Sequence, residues 1–105
     1  MKDEKILALR VALLIAASEA EKVKHTEDGG TSNMDTPTIS LPNWNASAIE
    51  EAFNLTGLVP SRHGNTIFIL RACEGQGFRR TAMAKAFCNC LKAQGYQAAV
   101  DYRMD

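Results

Sequence analysis

Residues 3–24 contain neither Gly nor Pro and are dense in Leu, Ala, Glu and Lys, which predicts a helix of about five or six turns. At about 100° per residue, Ile6, Leu9 and Leu13 fall on one side of it. Leu7, Val11, Leu14 and Ile15 fall on another, with Arg10 between the two sets. A surface helix needs one apolar stripe, and this one carries two. Either it is buried on both sides within one domain, or its second side meets another chain. The expectation drawn is self-association through Leu7, Val11, Leu14 and Ile15.

The same stretch is not a membrane span, because Arg10 interrupts it well short of the roughly 20 apolar residues a bilayer demands. Nor does it read as a secretion signal, since Asp3 and Glu4 stand where a basic segment is required. The segment HTEDGGTSNMDTP, residues 25–37, is polar, carries Gly29-Gly30 and has no apolar period. It reads as a flexible linker that sets the helix apart from a domain spanning residues 38–105.

Six elements are expected in that domain. Thr38 to Leu41 forms a short strand closed by Pro42, and Asn45 or Ser47 caps a helix running to about Thr56, with Ser47 and Glu50 at capping-box spacing. Leu58 to Arg62 contains Pro60, which suits only an edge strand. His63-Gly64-Asn65 then turns into the apolar strand Thr66 to Arg71. A helix from about Arg79 to Ala93 buries Met83, Phe87, Cys90 and Leu91. From Gln97 to Met104 the residues alternate as in a half-exposed strand, with Ala98, Val100, Tyr102 and Met104 on one face.

The order β-α-β-β-α-β is that of a ferredoxin-like domain with a four-stranded antiparallel sheet, and the overall class is α+β. Ile67 and Ile69 point to one sheet face and Phe68 and Leu70 to the other, so both faces call for cover. Two helices cover one face. The N-terminal helix, its own or a neighbour's, is expected on the other.

The most distinctive local feature is Glu74-Gly75-Gln76-Gly77-Phe78-Arg79-Arg80-Thr81, where a central strand hands over to a helix. Glycines let backbone N–H groups turn toward a ligand, and a helix start leaves such donors free. Arginines add forked donors suited to phosphate or carboxylate. Arg71, Gly75, Gln76, Gly77, Arg79, Arg80 and Thr81 are therefore the candidate ligand-binding residues. The competing reading is a turn permitted by glycine, with Thr81 capping the helix and the arginines in water. No Gly-Lys-Ser/Thr follows, so this is not a nucleotide-phosphate loop of the Walker type, and a dinucleotide fingerprint is incomplete.

No catalytic constellation, metal set or cofactor motif emerges. Cys88 and Cys90 lie two apart on a helix and point about 200° from each other. Cys73 lies near Arg79 and Arg80, where a lowered thiol pKa is conceivable, but no histidine is close in sequence. An odd count of three cysteines argues against a disulfide framework and fits reduced cytosol. The Asn45-Ala46-Ser47 and Asn54-Leu55-Thr56 triplets match a glycosylation sequon that matters only in a secretory pathway.

Net charge is zero overall, yet residues 1–57 hold five Lys/Arg against nine Asp/Glu, net −4, and residues 58–105 hold seven against three, net +4. The two halves then neutralise one another, within or between chains, and strong nucleic-acid binding is disfavoured. RNA recognition motifs share the element order, but Phe68 is alone on its strand and the aromatic run they use is missing. Contact through Arg62, Arg71, Arg79, Arg80 and Lys85 would be directed at the nucleic-acid backbone.

The expectation for function is a small cytoplasmic, non-enzymatic binding protein, oligomeric, that holds an anionic ligand or acidic partner surface at the Gly/Arg loop. Two alternatives stand beside it: a phage-type accessory protein that inhibits a host enzyme by binding it, and a backbone-directed nucleic-acid-binding module. No membrane partner is expected.

Overall fold

Alternation along the strands determines which residues meet the helices. The computed structural model describes residues 2–104, with three helices and four strands: α1 (Asp3–Glu21), β1 (Thr36–Ser40), α2 (Ala46–Phe53), β2 (Val59–His63), β3 (Thr66–Leu70), α3 (Gly77–Ala93) and β4 (Gln97–Asp101). The strands form one antiparallel sheet in the order β2-β3-β1-β4, so the chain is an α+β protein. Pro60 lies on an edge strand, where its missing N–H costs no ladder bond. Between His63 and Thr66 the hairpin turns on Gly64-Asn65. Only Gly64 has positive φ there, at 64°, the pattern of a type II′ turn.

Ile39, Ile67 and Ile69 share one face and are fully buried. Above them α2 packs on β2, and α3 on β1 and β4, without α2 and α3 touching. α1 packs against both helices, and its Ile6, Leu9, Leu13 and Ala16 join the isoleucines in one buried core. Arg10, between its two apolar sides, donates from Nη2 to the Glu51 carbonyl at 2.6 Å. That cation sits at the C-terminal end of α2, where the helix dipole welcomes it.

All three helices therefore lie on the same side of the sheet. The expectation that α1 covers the second face from within the chain is corrected. The physical reason is that the buried side of α1 packs against both other helices and belongs to the same core as they and the isoleucines. Among the described residues no helix lies on the face carrying Phe68 and Leu70.

Several boundaries shift. α1 stops at Glu21, and Lys22 and Lys24 fold back on Glu19 and Glu21 at 2.8 and 3.1 Å. Thr36 and Pro37, assigned to the linker, already pair with Asp101 and Val100 of β4. Asn45 caps α2, its side chain accepting from Ala48 N at 2.8 Å, so the Ser47–Glu50 box does not form. In α3 the buried cysteine is Cys88 at 2% exposure, and Cys90 is half-buried. Tyr102 and Met104 lie beyond β4, 61% and 80% exposed. Among the described residues no helix is long and apolar enough to cross a membrane.

Since the cap bond of α2 belongs to Asn45, Asn45→Ala should lower stability by about 1 kcal/mol, whereas Ser47→Ala should stay within about 0.5 kcal/mol of wild type. Urea melts of the two variants check this, and equal losses would return the cap to Ser47.

Candidate functional site at the glycine-arginine loop

β3 ends at Leu70, and α3 begins at Gly77 with Gln76 as its N-cap and no side-chain cap bond. Thr81, expected as a cap, is inside the helix. Helix starts leave backbone N–H donors free, and two of these point at one segment. Gln76 N donates to Asp28 Oδ1 at 3.0 Å, and Phe78 N donates to the Gly29 carbonyl at 2.8 Å. Arg79 Nε donates to the Thr26 carbonyl at 2.9 Å and lies 3.5 Å from the same Asp28 oxygen.

The two glycines answer to this contact. Gly75 and Gly77 adopt φ of 76° and 54°, a region that L side chains rarely occupy. A Cβ on Gly75 would strike the Asp28 carboxylate, and one on Gly77 the Gly29 carbonyl. The Phe78 ring, itself 62% exposed, closes over Gly29 and Gly30. The loop thus has the donors to hold a carboxylate, and the carboxylate it holds is the chain's own.

A second cluster lies one turn further along α3. Asp35 is 4% exposed and fully engaged: its Oδ2 accepts from Thr81 Oγ1 at 2.7 Å and its Oδ1 from Arg103 N at 3.0 Å. Its carbonyl accepts from Arg80 Nε at 2.8 Å. Asn33 Nδ2 donates to Gly77 O at 3.1 Å and to Thr81 Oγ1 at 3.2 Å. Buried polar groups satisfied in this way fix geometry, and leaving one unpaired is costly.

Gly75, Gln76, Gly77, Arg79, Arg80 and Thr81 are therefore brought together, with their donors turned toward residues 26–35. Arg71 stands apart. It ends β3 at a φ of 68° and borders a surface hollow with Glu50, Leu55 and Pro60 on the α2–β2 side. The interface candidates Leu7, Val11, Leu14 and Ile15 are 55%, 46%, 44% and 44% exposed on the outer side of α1.

Asp28, Asn33 and Asp35 were not singled out by sequence reasoning, because they lie in the segment read as a flexible linker. That reading is corrected by the string of bonds from Thr26 to Asp35. Two signals pointed toward them: the acid of Asp28-Gly29-Gly30, and the opposite charges of the two halves, which meet at Asp28 and Arg79.

Cys73, considered for a lowered pKa, is pushed up from the ordinary 9.0 to about 11, chiefly by burial, which outweighs the opposing Arg80 charge. Burial raises Cys88 as well. Cys73 is a protonated, poorly nucleophilic thiol at neutral pH.

Two outcomes follow. Asp28→Ala should lower stability by about 1 kcal/mol by emptying the loop, and inorganic phosphate should then raise the variant's melting temperature more than that of wild type. An equal rise in both would show that the loop does not take an anion. For Cys73, the unfolded thiol ionises above pH 9 while the folded one resists until about pH 11. Its stabilising contribution is full below pH 9 and is lost as pH rises from 9 to 11, and Cys73→Ala should flatten that decline in urea melts at stepped pH.

No protein-family model matches this chain, and no curated protein or solved structure matches it.

Proposed function

We propose that the chain is a small cytoplasmic, non-enzymatic binding protein that works through its surfaces and self-associates. The observation that carries this is α1. Its inner side, Ile6, Leu9, Leu13 and Ala16, is buried, while Leu7, Val11, Leu14 and Ile15 line the opposite side in contact with water. A contiguous exposed apolar stripe of this kind marks an interaction surface more often than a chance residue does.

The architecture proposed to accompany it is ferredoxin-like. In its support, β1 and β3 are central, β2 and β4 are at the edges, and every neighbouring pair is antiparallel. A non-catalytic reading is supported by the raised Cys73 thiol.

One observation favours a second reading, an anionic ligand or acidic partner surface at the Gly/Arg loop. Gln76 N and Arg79 already converge on a carboxylate, so an external one needs only to replace Asp28. Such a ligand competes with a tethered group, which lowers its apparent affinity.

Sedimentation velocity across a concentration series tests the leading reading. Wild type should show mass rising with concentration, and Leu7→Glu with Leu14→Glu should weaken association by at least about tenfold while leaving the melting temperature unchanged. A wild type that stays monomeric throughout would overturn self-association.

A further inference from the structure

The two edges of the sheet are not alike. Backbone N–H groups alternate from side to side along a strand, and Leu41 N, just past β1, donates to the Asn65 carbonyl at the foot of β3. Ile39 therefore bonds toward β3, and Thr36, Thr38 and Ser40 bond toward β4. Their partners Asp101, Ala99 and Gln97 face β1. Ala98 and Val100, which alternate with these, turn their N–H and C=O groups outward, where no strand among the described residues receives them. On β2 the outward positions are Pro60 and Arg62, because His63 and Thr66 close the hairpin as a bonded pair. Pro60 removes one of the two donors, a common way to blunt an edge. β4 contains no proline, lysine or arginine.

Beside the β4 edge, a hollow of about 360 Å³ between strand and helix is bordered by Lys85, Asn89, Lys92, Val100 and Tyr102. α3 carries Arg79, Arg80, Lys85 and Lys92 and no acid. Its two arginines are engaged by residues 26–36. Lys85 and Lys92 are exposed and, among the described residues, form no ion pair. They stand about two turns apart on one side of the helix, roughly 10 Å along its axis.

We infer that β4 takes an extended acidic segment of another protein as a fifth strand, whose carboxylates meet Lys85 and Lys92. Main-chain bonds to Ala98 and Val100 hold the segment, and every second side chain of an added strand rises toward α3. Such positions recur about every 7 Å along the strand, so acids two or four residues apart come within reach of both lysines. The edge supplies attachment, and the lysines select for acid. A second copy fits less well. Pairing β4 with β4 across a two-fold axis would set two α3 helices side by side on one face of a continuous sheet, bringing the lysine pairs together with no acid on either helix. A nucleic-acid backbone would meet the lysines and leave the strand edge unused. The contact uses no residue of α1.

The test titrates the full chain into a labelled peptide of alternating Glu and Val, about eight residues long to span a strand of ordinary length, and reads fluorescence anisotropy. Wild type should bind it saturably. Lys85→Glu/Lys92→Glu and, separately, Val100→Pro should each weaken binding by at least about tenfold. Val100→Pro removes an outward N–H and leaves the lysines in place, so its melting curve should match wild type. Should that variant not fold, the same peptide N-methylated along its main chain, offered to wild type, replaces it and should bind at least about tenfold more weakly. Failure of wild type to bind, undiminished binding by either folded variant, or equal binding of the N-methylated peptide would overturn the added strand. A single-stranded oligonucleotide of equal charge that binds as tightly would assign the lysines to nucleic acid instead. Self-association present in wild type and lost in Val100→Pro would assign the edge to a second copy, and either result overturns the acidic segment as occupant.

Discussion

The packing of α1 between α2 and α3 is the contact on which the rest of the structure depends. α1 contacts both other helices, which do not touch one another, and its buried side shares one core with Ile67 and Ile69, so that core includes a helix that precedes the whole sheet in sequence. Each of those side chains gains roughly 2 kcal/mol from leaving water, and exposing both would remove a large part of the margin by which a chain of this size stays folded. Arg10 strengthens the arrangement by binding the end of α2, so that α1 is held at its flank as well as along its face. An N-terminal helix followed by a polar stretch suggested an appendage. The packing makes it part of the core.

Contacts between the two halves organise the other end of the molecule. Asp28 pairs with Arg79, and the buried Asp35 takes Thr81 Oγ1 and Arg103 N on its carboxylate and Arg80 on its carbonyl. The loop that resembles a ligand site in the sequence holds a segment of the chain itself. The N–H donors of the α3 start and the Arg79 guanidinium are used to hold residues 26–29 against the body of the protein. The glycines at 75 and 77 serve the close approach of that segment, which is the same property a phosphate loop exploits. Composition alone does not tell an internal carboxylate from an external one.

Much of the architecture was legible because it is local. The two sides of α1, the continuous apolar run of β3, the proline on the edge strand and the turn at Gly64 are all written at periods of 3.6 or 2, or in a single turn residue. What escaped was non-local. Asn45 and Ser47 are both suitable cap residues, and only the fold shows that Asn45 takes the bond from Ala48 N. The bonds from Asp28 and Asp35 span more than forty residues. Cys73 has cations nearby in sequence, but its chemistry follows the depth of its burial. At the loop the donors stand in one short stretch of sequence, and the carboxylate that meets them comes from 48 residues away.

The position of α1 also bears on how the chain is made. A ribosome delivers this helix before the sheet and the other two helices, with apolar residues on two opposite sides, and the slot that receives the inner side is complete only after α3 has emerged. Until then the most adhesive segment of the chain waits exposed, and its native contacts are long-range ones that close late. The outer stripe shares that history, so any neighbour able to cover it in the finished protein meets it first on a nascent chain.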